Sequence, residues 1–231
     1  MDRDAIHRRL RRRGGAARRP LPVARAVRII AETAKALDFA HAAAVLHRDV
    51  KPANIMLTRP AAGEPERVLL ADFGIAKALD DRTGLTVTGM FHGSLQYAAP
   101  EQFDPSITLD ARADQYALGC TLYHLLTGST PYPGHTPEQL MHAHLQLPAP
   151  RPSHSPAAPQ TGIPEAMDEV IQRALAKDRT QRYPPAAHWP PTHSTLSTPP
   201  PPTRPSQRQS TLPAHARRHR GTTRPRNKTS G

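Results

Sequence analysis

A single cysteine in 231 residues, Cys120, has no partner for an intrachain disulfide, and with 13 scattered histidines it gives no zinc-ligand spacing. His215 and His219 stand four apart, but in a proline-rich basic stretch they read as solvated side chains. Aromatic residues are scarce, with 4 Phe, 5 Tyr and 1 Trp. No apolar run approaches the ~18 residues of a membrane span. The arginine cluster in the first twenty residues has no hydrophobic stretch behind it, so it does not read as a signal peptide, and a cytoplasmic protein is expected. Carboxylates are missing altogether from residues 184–231, which hold 7 Arg and 1 Lys.

That last absence makes residues 184–231 the largest source, at +8, of a net charge of +12. Residues 1–20 carry 8 Arg and 2 Asp, and residues 21–183 hold 15 basic against 17 acidic side chains. The excess of positive charge therefore belongs to the two ends, which implies only non-specific contact with nucleic acid rather than a folded binding face. Three segments follow: a basic lead-in over 1–20, helical as far as Arg13 before Gly14 and Gly15; a domain over 21–183; and a tail over 184–231. The tail has 11 of the 27 prolines and only two leucines. Such a composition buries too little apolar surface to offset chain entropy and predicts disorder.

Within the domain, Val23, Val27, Ile30, Ala34 and Leu37 recur at helical spacing, predicting one long amphipathic helix that ends near Ala44. Ile55–Leu57 and Val68–Ala71, split by TRPAAGEPER, predict a small β-hairpin. Gln115–Thr127 is apolar nearly all round and stops at Gly128, as a buried central helix would. Within it Cys120 reads as a small core residue. Further helices are expected over Pro137–Leu145 and Pro164–Ala176. The fold class expected is mainly α.

Between the long helix and the second strand stands His47-Arg48-Asp49-Val50-Lys51-Pro52-Ala53-Asn54, followed by Asp72-Phe73-Gly74 and by Ala99-Pro100-Glu101. This set resembles the protein-kinase signature, whose catalytic loop, DFG and APE motifs occur in that order. Five fixed positions in the catalytic loop alone arise by chance about once in ten thousand chains of this length, at ~1/20 per position. Taken singly, each would be an ordinary loop residue; their joint spacing carries the resemblance.

What the resemblance implies is a C-terminal lobe of a bacterial eukaryotic-like serine/threonine kinase, using ATP and Mg²⁺ on protein substrates with Ser or Thr. By position Asp49 is the orienting carboxylate and base, Lys51 neutralises the transferred phosphate, and Asn54 and Asp72 hold the metals. Arg48 is similar to the arginine that pairs with a phosphate on the activation loop, where Leu85-Thr86-Val87-Thr88 looks like an autophosphorylation pair formed by Thr86 and Thr88. Gly93-Ser94-Leu95-Gln96-Tyr97 is similar to the substrate-docking loop, with Ser94 where Thr is usual. Phe73, Glu101, Asp114 and Arg182 are scaffold by the same comparison. Asp114 accepts hydrogen bonds from the catalytic-loop backbone, and Arg182 pairs with Glu101.

The departures are informative. Only 46 residues precede His47, and they contain no Gly-rich phosphate cover, strand lysine or partner glutamate. The resemblance thus covers roughly residues 6–183, which implies a truncated, impaired kinase whose activity is open, with apolar surface exposed around Leu57 and Phe73. The alternative is a non-catalytic kinase-derived fragment that docks peptides or another kinase chain. Ala44 stands where the family usually has a glycine ending the helix, and a left-handed residue there costs about 1 kcal/mol more as Ala than as Gly. His188-Trp189-Pro190-Pro191 breaks the final helix that would continue the domain.

The tail assignment predicts that limited proteolysis trims the chain near Arg204 or Arg208 to a resistant core ending close to Tyr183. Deleting 188–231 is expected to change stability by no more than ~0.5 kcal/mol while removing most salt-sensitive polyanion binding. A core that loses its cooperative melt on this deletion contradicts the boundary.

Overall fold

A computed structural model describes residues 8–9, 19–58, 66–73 and 92–183, the main chain alone at 8–9 and 92–93. Thr86, Thr88, Gly74, the proline-rich tail and most of the lead-in lie outside the described residues.

The long helix α1, Val23–Ala42, buries Ala26, Ile30, Ala34 and Leu37 along one stripe, the face its sequence period marked out. It ends as a Schellman motif. Ala44 N–H donates to the His41 carbonyl at 2.9 Å and Val45 N–H to that of Ala40 at 2.9 Å. That geometry requires the left-handed conformation, and Ala44 adopts it with φ 57°.

Strand β1, Arg8–Arg9, pairs antiparallel with β2, Ile55–Leu57, which pairs in turn with β3, Val68–Leu70, in the register Ile55 to Leu70 and Leu57 to Val68. Two expectations change here. The lead-in at Arg8–Arg9 is a strand, not helix, because the free edge of β2 offers it main-chain partners opposite Leu57 and Met56. The hairpin is therefore a three-stranded sheet. Leu57, expected at an exposed apolar face, is only 5% exposed. Among the described residues the large hydrophobic side chains left in solvent are instead Phe39, at 83%, Val45 and Leu147. Phe39 lies on the side of α1 opposite its buried stripe.

After β3 the described chain resumes with the short α2, His92–Leu95, and a 3-10 turn at Pro100–Phe103. Then comes α3, Ala111–Thr127, buried along nearly its whole length. It starts four residues before the apolar run because the Asp110 side chain caps it, accepting from Arg112 N–H at 2.9 Å. It ends at Gly128, whose φ of 79° supplies the left-handed cap. Helix α4, Pro137–Gln146, has Pro137 in its first turn, Thr136 as cap and Gln139 returning to His135 N–H at 2.9 Å. A one-turn α5, Ala158–Thr161, and α6, Ala166–Ala174, complete the set. Pro164 stays outside α6.

Helix α3 is the axis on which α1 and α6 pack. Gly119 marks the closest approach. A Cβ there would stand 2.7 Å from Ala174 Cβ, so a side chain at 119 would force the helices apart.

Replacing Ala44 by glycine is expected to stabilise the protein by about 1 kcal/mol in denaturant melts, since glycine occupies φ 57° without Cβ strain. An unchanged midpoint would mean that this turn relaxes at no cost.

Candidate active site

The loop after α1 is shaped by one carboxylate. Asp114, in the first turn of α3 and 1% exposed, accepts from the main-chain N–H of His47 at 2.8 Å and of Arg48 at 2.7 Å, and lies 2.8 Å from His41 Nε2. These bonds hold Arg48 in the left-handed region, φ 61°, a conformation costing a β-carbon-bearing residue roughly 1–2 kcal/mol. A second grip comes from Thr121 on the same helix, whose hydroxyl donates to the Val50 carbonyl at 3.2 Å.

His47 carries the loop across to the end of the sheet. Its Nδ1 accepts from Asp49 N–H at 3.3 Å, its Nε2 lies 3.1 Å from the Ala71 carbonyl, and its ring packs on Phe73 with centroids 4.6 Å apart. The network thus assigns the proton to Nε2. Ala71 N–H donates to the Asn54 carbonyl at 2.9 Å, so Asp72 follows directly on a residue tied to Asn54. Asp72 is itself left-handed, φ 60°, and exposed.

Four of the residues singled out from the sequence meet directly. Lys51 Nζ donates to Asp49 Oδ2 at 2.6 Å and to Ser94 Oγ at 3.1 Å. Asn54 Nδ2 donates to the Asp49 carbonyl at 2.8 Å and to Asp49 Oδ2 at 3.1 Å. An ammonium therefore bridges the loop carboxylate and the docking-loop hydroxyl, while the amide of Asn54 fixes the carboxylate from the other side. With Nδ2 committed to Asp49, the amide oxygen of Asn54 is the donor left for a cation. Together with the Asp72 carboxylate it makes an all-oxygen set, the kind that suits Mg²⁺ alongside phosphate oxygens. Among the described residues there is no cluster of three or more His, Cys, Asp or Glu side chains placed to hold a metal alone.

Glu101 and Arg182 form the scaffold pair, at 2.6 and 2.9 Å, both buried. The guanidinium also donates to the carbonyls of Ala176 and Arg112 at 2.9 and 3.0 Å and lies 4.8 Å from the Tyr116 ring centroid. Such saturation is what allows a buried charge pair to persist. Sequence reasoning passed over His41, Thr121 and His124. His41 and Thr121 act on the catalytic loop from helices that the pattern had marked only as packing surfaces.

A carboxylate, an ammonium and an amide are preset around one point, on a loop carried by a buried helix aspartate, within a mainly helical fold. The chain belongs to the protein kinase family, whose domain pattern matches residues 1–189. Its relatives are bacterial eukaryotic-like serine/threonine kinases. PknJ of Mycobacterium tuberculosis is 49% identical over 163 residues, 71% of this chain and 27% of that protein. PknF of the same organism is 46% identical over 165 residues, 71% of this chain and 33% of that protein. A double mutant of the M. tuberculosis PknI kinase domain superposes with a TM-score of 0.51 at 34% identity, covering 71% of this chain and 52% of the other. Rad53 in complex with AMP-PNP gives 0.53 at 25% identity, over 71% and 38%. The chain spans about a quarter to a third of the length of these curated relatives.

Asp114→Asn leaves one main-chain donor facing an amide N–H₂ in a buried site, and is expected to lower stability by roughly 3 kcal/mol. Denaturant unfolding measures this directly. A loss within ordinary surface-mutation noise would show that the catalytic loop holds its shape without Asp114.

Proposed function

We propose that this chain supplies the hydroxyl-orienting half of an ATP-dependent serine/threonine protein kinase, and that it turns over only when joined to a lobe that grips the phosphates. The observation carrying this reading is Lys51 Nζ set between Asp49 Oδ2 at 2.6 Å and Ser94 Oγ at 3.1 Å. Asp49 would orient the acceptor hydroxyl of a protein Ser or Thr and take its proton. Lys51 would offset the charge on the phosphate being transferred. Asn54 and Asp72 would hold Mg²⁺, which when bound to ATP neutralises the phosphate oxygens. Arg48 would receive a phosphate on Thr86 or Thr88, ordering the activation segment by added charge.

The 231 residues contain no Gly-rich cover and no strand lysine with its glutamate, so the adenine and the α/β-phosphates lack their usual partners. Electrostatic preorganisation supplies most of the rate in phosphoryl transfer, so residues 1–231 need that lobe for turnover. Among the described residues no helix is long and apolar enough to cross a membrane. The reading places the protein in the cytoplasm with protein substrates.

The test is ATP-dependent labelling of a generic Ser/Thr substrate. The chain alone is expected to give none. The chain complemented with the phosphate-gripping lobe of a relative is expected to label, and Asp49→Ala to lower that rate by at least about 10²-fold. A folded, ATP-binding complement that does not label would favour the non-catalytic fragment instead. Labelling by the chain alone that vanishes in Asp49→Ala would overturn the impairment.

A further inference from the structure

The docking loop is held at more points than Lys51 accounts for. Tyr97, buried at the end of the loop, shares a hydrogen bond of 2.7 Å between its hydroxyl and Nδ1 of His124, and the two rings lie parallel within 4° at 6.1 Å between centroids. His124 stands in the last turn of α3, and its main-chain carbonyl accepts from the Gly128 cap at 2.8 Å, so the ring is carried on a fixed helix end. Tyr97 N–H donates to the Ser94 carbonyl at 3.1 Å, closing the loop on itself. A continuous series of bonds therefore runs from His124 through Tyr97 and Ser94 to Lys51 and Asp49.

A second histidine lies under the middle of the same loop. His144 of α4 is fully buried, shares a hydrogen bond of 2.9 Å between its Nδ1 and the Tyr116 hydroxyl, and has no full hydrogen bond at Nε2. Burial, and then the Lys177 charge, push it down to about 4, while the main chain of Gln96 and Leu95 pulls the other way. With its titration lowered that far, His144 presents no charge to the loop at neutral pH.

We infer that His124 is a positioning residue for phosphoacceptor binding: by holding Tyr97 it fixes the loop that carries Ser94 against Lys51 and Asp49. This rests on the kinase reading above only for its consequence in turnover; the hydrogen bond itself stands apart from it. The acceptor peptide lies against a loop whose far end is set by α3, so that end decides how often the loop is competent to bind. ATP would meet this series only at its far end, Lys51, which Asp49 holds independently of His124.

Amide hydrogen exchange on the full chain, without ATP or peptide, tests the bond. His124→Phe keeps a ring beside Tyr97 and removes one partner of the bond; Tyr97→Phe removes the other. Each is expected to speed exchange over residues 94–98 by about fivefold, the equivalent of one neutral hydrogen bond of ~1 kcal/mol. The double variant is expected to exchange no faster than either single one. His124→Asn, whose amide oxygen sits near the Nδ1 position, is expected to restore protection. Unchanged exchange in both single variants overturns the proposal, as does an asparagine variant as unprotected as the phenylalanine one. With the complementing lobe present, His124→Phe is expected to raise the KM for an acceptor peptide about fivefold and leave the KM for ATP unchanged. Equal rises in both would make the effect a general loss of structure and overturn it. Failure of the complement to label at all would count against the kinase reading, and the exchange result would still decide the bond.

Discussion

One buried carboxylate sets the geometry on which the rest depends. Asp114 takes two main-chain N–H groups from the loop after α1 and one ring nitrogen from α1 itself, and so joins two helices and the catalytic loop at a point. A main-chain donor left unmatched in such a place costs about 1–3 kcal/mol, comparable to the strain of a left-handed arginine. The two oppose each other at Arg48, whose N–H is among the donors. The loop is thus held in a conformation it would not adopt by itself, and Asp49 inherits its direction from that constraint. Left-handed Asp72, at the far side of the same site, is a second instance of local strain where chemistry is expected.

Much of this was legible in the amino-acid order because it is carried by local rules. The apolar stripe of α1, the short β-branched and leucine runs of the hairpin, and glycine at the end of α3 each follow from a period or a backbone requirement. The set Asp49, Lys51, Asn54 was readable because kinase chemistry demands those types at that spacing, and the structure brings them into contact together with Ser94. Ala44 is an instructive case. An alanine where the family usually has glycine suggested a strained turn, and the turn keeps its left-handed form despite the residue.

Other features depended on contacts that no local pattern encodes. The strand at Arg8–Arg9 exists because β2 has an unpaired edge, and a run of arginines beside leucine gives no period-two signal for it. His41 and Thr121 sit on helices at positions that look like ordinary packing, and only the packing of α1 on α3, for His41 with Asp114, and the path of the loop past α3, for Thr121 with Val50, turn them into hydrogen-bonding partners. Asp110 moves the start of α3 ahead of its apolar run for a similar reason. Polar caps lie outside the hydrophobic pattern by nature.

The Glu101–Arg182 pair also has a consequence in time. Its members are 81 residues apart, and neither can be buried alone without leaving a charge unmatched. During synthesis at ~5–20 residues per second, roughly 4–16 s pass between the two. Over that interval the segment around Pro100–Phe103, with the docking loop just before it, has no partner for its carboxylate. The Pro100–Phe103 segment therefore locks late, after the α1–α3 packing that carries the loop around Asp49 has all its residues at hand. A ribosome-bound chain would hold the loop around Asp49 in shape before the segment around Glu101 is fixed.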